Sequence, residues 1–209
     1  MSSNIYIYLI RTILVRHRLI YTMKLLAFVV HGKMKDTKIN RDLDSIVATS
    51  HGNLILEQTL QNVASPYDFL RVLGQYVDFS RPFGSAVAVL AGQVASREDL
   101  FQHPYEVAFG IFYAAIDEFG DVGTSNRSTH RALALATIKA AGYFFGYGQA
   151  ELKKIMSPNE GTLATVDKIR EGYGVNRIMN AENTLEAIGF HAISEGLAAG
   201  EFRVWYDDL

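Results

Sequence analysis

His191 and Glu195 stand four residues apart in "GFHAISEGLAAGEF", residues 189–202, a run rich in alanine and other small residues. On a helix that spacing puts both side chains on one face, one turn apart. An imidazole and a carboxylate so placed suit a metal site, a proton relay or an ordinary surface pair. A second couple lies in "YAAIDEFGDVGTSNRSTHRALALA", where Glu118 ends one aromatic-rich helix and His130 begins the next. The helix that delivers Glu118 carries Val107, Phe109, Ile111, Phe112 and Ala115. The acid is therefore expected to face a closed interior, where a carboxylate must be paired, protonated or metal-bound. Each residue also has a plainer reading: Glu118 as a solvated acid at a helix C-terminus, His130 as a hydrogen-bonding residue of a first turn, and His191 with Glu195 as a surface pair. Taken together, two histidines and two carboxylates from three helices make the donor set from which helical bundles build nonhaem iron or manganese sites.

The elements that must position these residues read as helices. "DLDSIVATSHGNLILEQTLQNVA" repeats apolar positions at Leu43, Ile46, Val47, Leu54, Leu56 and Leu60, with a break near Gly52. Ser65 before Pro66 supplies an N-cap and a first-turn proline, and Phe69, Val72, Leu73, Tyr76 and Val77 follow at spacings of three and four. Pro82 restarts the chain into the apolar "FGSAVAVLAGQVAS", and Ser96 with Asp99 resembles a capping pair over a short turn. Pro104 opens the helix that ends in Glu118, and Gly120 is its expected C-cap. Ser128 or Thr129 caps the helix headed by His130. Ser157-Pro158 restarts the pattern, Gly172 to Gly174 interrupts it, and a last helix is expected from about Ala181 to Ala199. Period-two alternation shows only weakly, in "FRVWY" at the C-terminus. The expected fold class is all-α, a single multi-helical bundle of about seven or eight helices.

Composition bounds the rest. The 209 residues fit about one domain, and with no cysteine among them disulfides, thiolate metal sites and a cysteine nucleophile are excluded. Residues 1–35 contain six Lys/Arg and no acid, which leaves fourteen Lys/Arg against twenty-two Asp/Glu in the remainder. An acidic body disfavours a nucleic-acid partner. The basic start is broken by Arg11, Arg16, Arg18 and Lys24, so no run approaches the roughly 20 apolar residues of a bilayer span. It reads as a membrane-surface or targeting segment, or as an extension upstream of Met23 or Met34. Residues 1–39 are accordingly taken as a peripheral extension and residues 40–209 as the helical domain.

"IDEFGD" followed by a histidine at the head of an apolar helix, then "EGYGV" and "FHAISE", resembles the haem-oxygenase-like helical superfamily. The likeness is nearest to its CADD-like, nonhaem diiron oxidase and oxygenase branch, and "FLRVLGQYVDFSRPFGSAVAVLAG" is similar to that superfamily's early helices. The resemblance spans about residues 45 to 200. It implies Glu118, His130, His191 and Glu195 as ligands of one or two iron ions, with Glu195 where the late His-x-x-x-Asp-x-x-His motif has its aspartate. Ala198 stands where that motif's last histidine belongs, and the interval between His130 and His191 is short. Glu160 and Glu171 lie in that interval, with neither assigned as a further ligand.

Two functions follow as expectations. One is a nonhaem iron-dependent oxidase or oxygenase acting on a small or apolar substrate in the bundle interior. The other is a metal-free CADD-like protein that binds a small ligand or a partner without catalysis, which Ala198 and the short interval favour. Haem oxygenase activity itself would need an early axial histidine, for which His51 is the candidate. A cytoplasmic location, no stable membrane insertion, and by default a homodimer complete the expectations.

Overall fold

In a computed structural model of the chain, the structure describes residues 41–42, 45, 52–120 and 129–207. The fold is all-α. Eight helices appear among the described residues, with no strand: α1 (Gly52–Gln61), α2 (Pro66–Phe79), α3 (Phe83–Ala95), α4 (Pro104–Phe119), α5 (His130–Phe144), α6 (Gln149–Ile155), α7 (Glu160–Gly172) and α8 (Ala181–Asp207). No described helix is long and apolar enough to cross a membrane.

By their contacts the residues form two compact units, one of Val63–His191 and one of Met1–Asn62 with Ala192–Leu209. The contacts thus divide the chain at Asn62 and His191, whereas composition places a boundary after residue 39, outside the described residues. Helix α8 begins in the first unit and ends in the second. Of the second unit the structure describes chiefly α1 and the last turns of α8, with Leu60 and Val204 buried.

Local chemistry starts and stops the helices of the first unit. The Ser65 hydroxyl accepts from the Asp68 N–H at 3.1 Å, capping α2 ahead of Pro66. Gly120, at φ 128°, ends α4 in a conformation that only glycine adopts without strain. Thr129 caps α5 by accepting from the Ala132 N–H. Asn159 caps α7 by accepting from the Thr162 N–H at 2.8 Å, so that helix begins two residues after the expected Ser157. Ser96 turns back to the Gln93 carbonyl and closes α3, while Asp99 is held by the Arg97 guanidinium through two bonds, so the two do not form a capping pair. "FRVWY" is helical, because α8 continues to Asp207.

Helices α3 and α4 pack most extensively, through small residues that let their axes approach: Gly84, Ala86 and Ala91 on one, Ala108, Ala114 and Ala115 on the other. Around this pair Val87, Leu90, Val94 and Ile111 join Ile169, Tyr173 and Met179 in the main core. A second cluster joins α2, α5 and α6 through Leu70, Val77, Ile138, Leu152 and Ile155. Each such aliphatic side chain, when fully buried, stabilises the fold by about 1.5–3 kcal/mol.

Two glutamines tie the loops to these cores. Gln75 on α2 donates to the Ser157 carbonyl and accepts from the Asn159 N–H and the Thr162 hydroxyl. Gln93 on α3 donates to the carbonyls of Gly174 and Arg177 and accepts from the Met179 N–H. Replacing Gln93 by alanine strips three backbone groups of their partner at once. The expected cost is about 1–3 kcal/mol, read as a lower thermal midpoint, with earlier amide exchange confined to residues 174–179.

Candidate functional site

The acid and the histidine that flank Gly120 come together. Glu118 lies in the last turn of α4, and the Gly84 backbone of α3 leaves room for it: a Cβ at position 84 would stand 3.1 Å from the Glu118 Cβ. His130 is the first residue of α5. Its Nδ1 lies 3.5 Å from Glu118 Oε1 and its Nε2 lies 3.9 Å from Asp117 Oδ2. Both ring nitrogens therefore face a carboxylate. The next residue fixes the helix that carries the ring: Arg131 donates to the Val77 carbonyl at 2.7 Å and to Asp78 Oδ1 at 3.0 Å, anchoring the head of α5 to the tail of α2.

The junction is half-open rather than closed, since the Glu118 side chain is 41% exposed and those of His130 and Asp117 about a quarter. This corrects the expectation of a sealed acid. The helix that delivers it is apolar on both faces, but Phe109 and Phe112 point outward while Ala108, Gly110, Ile111, Ala114 and Ala115 are buried.

His191 occupies a different environment. It is 3% exposed, and its Nδ1 shares a hydrogen bond of 3.1 Å with the hydroxyl of Tyr173, which is itself fully buried. Tyr173 meets Phe83, Phe190 and the His191 ring edgewise or tilted, at centroid distances between 5.1 and 6.0 Å. Burial removes water from around the imidazolium and pushes the His191 pKa down to about 4. The ring is therefore neutral at physiological pH.

This shift has a signed consequence. The unfolded chain binds the His191 proton near pH 6.5 and the folded chain only near pH 4, so the unfolded state holds more protons between those values. Stability is full above about pH 6.5, falls as the pH drops towards 4, and then levels off, with a total loss of order 3 kcal/mol from this group. A His191→Gln variant, melted across the same range beside the parent protein, should show a flatter dependence of Tm on pH. Parallel curves would show that another group sets the acid limb.

Glu195 follows His191 by one turn of α8, half-buried, and belongs to the second unit. Glu160 opens α7 at the surface, and Glu171 pairs with Lys168 at 2.8 Å, also exposed. Position 198, where a further histidine is expected, is an alanine on α8. His51 lies outside the described residues. Among the described residues no three His, Asp or Glu side chains gather closely enough to hold a metal ion. Of the four expected ligands the structure pairs Glu118 with His130, seats His191 beside Tyr173, and carries Glu195 on the same helix as His191.

Sequence reasoning passed over Asp117 and Tyr173. Asp117 adjoins Glu118 in "IDEFGD", and its signal was a second acid at the same helix end. Tyr173 lies between Gly172 and Gly174, and only tertiary structure shows that this aromatic turns inward onto His191. Comparison with models of protein families, with curated proteins and with solved structures finds no match to this chain.

Proposed function

We propose that the protein is a nonhaem iron-dependent oxidase or oxygenase whose metal is held at the α4–α5 junction. The observation that supports this most directly is the Glu118–His130 couple. Their facing atoms are 3.5 Å apart, close to the separation of two neighbouring ligands that each stand about 2.0–2.2 Å from a shared transition-metal ion. An anionic oxygen and an imidazole nitrogen also suit ferrous iron. Glu118 and His130 would hold the ion. Iron supplies the capacity to bind and reduce dioxygen. Asp117 positions the His130 ring from its Nε2 side, and Arg131 fixes the helix that carries it. A chain without cysteine is in keeping with the cytoplasm.

A second reading has its own support. With no three donors gathered among the described residues and alanine at position 198, a metal-free helical protein that binds a small ligand or a partner fits the same fold. Plasma mass spectrometry on protein loaded anaerobically with ferrous iron and then desalted decides between them. One or two irons per chain support the oxidase reading; none overturns it in favour of the binding protein.

A further inference from the structure

The two halves of the Glu118–His130 couple belong to different helix pairs. Glu118 ends α4, which packs along α3, and Gly84 in the first turn of α3 backs its Cβ. His130 heads α5, which packs on α2, where the neighbouring Arg131 grips the Val77 carbonyl and the Asp78 carboxylate. Helices α4 and α5 pack against each other much less extensively than α3 and α4 do. Their own packing therefore does little to hold the acid 3.5 Å from the imidazole.

Both seats lie on one short piece of chain. Only Ser80, Arg81 and Pro82 separate α2 from α3, so Gly84 follows Val77 by seven residues. Hydrogen bonds close this corner: the Ser80 N–H donates to the Tyr76 carbonyl at 3.2 Å, the Arg81 N–H to the Asp78 carbonyl at 3.3 Å, and the Phe83 N–H to the Ser80 carbonyl at 3.1 Å. The Ser80 hydroxyl donates to the Val77 carbonyl, the same one that Arg131 reaches, so the carbonyls that a helix end leaves without intrahelical partners are put to use here. Phe79 and Phe83 meet edge to face across the turn at 6.1 Å, and Phe83 meets the buried Tyr173 at 6.0 Å, which fastens the corner to the core. We infer that the α2–α3 corner is the positioning element of the site: Gly84 sets the place of Glu118, and Val77 and Asp78 set that of His130 through Arg131. The corner sets distance whether or not iron is bound, and its effect on affinity rests on the iron reading above.

A Cβ at position 84 stands 3.1 Å from the Glu118 Cβ and 3.4 Å from the Phe119 Cζ. The Glu118 Cβ is the root of a side chain on a packed helix, so it yields only if the last turn of α4 shifts against α3. Gly92, on the same helix, supplies the control, because a Cβ there meets nothing within 4 Å. Two readouts on the full chain test the corner: crystal structures of the metal-free variants, and ferrous iron affinity by chelator competition under nitrogen. In G84A the separation of His130 Nδ1 from Glu118 Oε1 should change by about 0.5 Å or more, the tolerance of a preorganised site, and iron should bind roughly tenfold more weakly. G92A should match the parent in both. Arg131→Met keeps the side-chain stem and deletes both bonds to α2, so it too should displace the ring and cost roughly tenfold. The double variant G84A/R131M should bind little worse than either single one, because a couple already separated has little left to lose, whereas independent effects would multiply to about a hundredfold. A hundredfold loss in the double variant would overturn the inference, as would a separation unchanged in either single variant, or G84A binding iron as tightly as G92A. If G84A does not fold, Arg131→Met, at a partly exposed side chain, still carries both readouts. If the parent takes up no iron, the oxidase reading falls and the crystal structures alone decide the inference.

Discussion

Tyr173→Ala will lower the stability of the protein by about 3–5 kcal/mol, the range for removing a large aromatic ring from a packed interior. The ring has no exposed surface and stands where three elements meet: Phe83 at the head of α3, Phe190 and His191 on α8, and the turn that closes α7. Its loss takes away those contacts and leaves a void that helices of this length cannot collapse into without shifting one another. For a chain of this size each kcal/mol moves the midpoint by about 2–4 °C, so a fall of roughly 10 °C in Tm is expected. Tyr173→Phe keeps the ring and deletes only the hydroxyl at His191 Nδ1, with an expected cost of about 1 kcal/mol. Differential scanning calorimetry of both variants separates the two contributions. If both lose the same amount, the hydroxyl rather than the ring carries the effect and the packing account is wrong.

The second large effect concerns metal. His130→Ala and Glu118→Gln should each weaken ferrous iron binding by roughly 100-fold or more, because even the loss of an outer partner of a ligand costs about 10–100-fold. Asp117→Asn should cost about tenfold, since Asp117 faces the Nε2 side of the ring and acts through its orientation. Competition against a chromophoric chelator under nitrogen gives all three constants. Because Glu118 and His130 are partly exposed, none of these substitutions should move Tm by more than about 1 kcal/mol equivalent, so weakened binding cannot be put down to unfolding. If all three variants bind iron as tightly as the parent, the junction is not the metal site. His191→Ala is a poorer probe, because it opens a cavity beside Tyr173 and destabilises the core whatever its role in metal binding.

Much of the fold was legible where the signal is local. Ser65 with Pro66, Gly120 and Thr129 end or begin helices by contacts three or four residues away, so the sequence around them carries the whole cause. The seven-residue α6 offers only Leu152 and Ile155 to the core, too short a pattern to show periodicity, and it escaped notice. "FRVWY" misled for a related reason: five residues can alternate by chance, whereas the helix that contains them runs for 27. The Ser157-Pro158 start gave way to Asn159, whose side chain reaches the Thr162 N–H.

The approach of Glu118 to His130 was legible to a similar depth. Glu118 and His130 meet because each lies at a helix end next to the same connection, an arrangement visible in the order of residues. The inward turn of Tyr173 and its bond to His191 depend on packing between residues 18 apart on different elements, which periodicity does not encode. The outward aim of Phe109 and Phe112 was hidden because α4 is apolar all round, and an all-round pattern reads as buried.

The Arg131 anchor carries a further consequence. Because its guanidinium grips the Val77 carbonyl and the Asp78 carboxylate in the last turn of α2, the bearing of His130 is tied to a helix more than fifty residues upstream. Conservation in homologues should concentrate on Asp78 and Arg131.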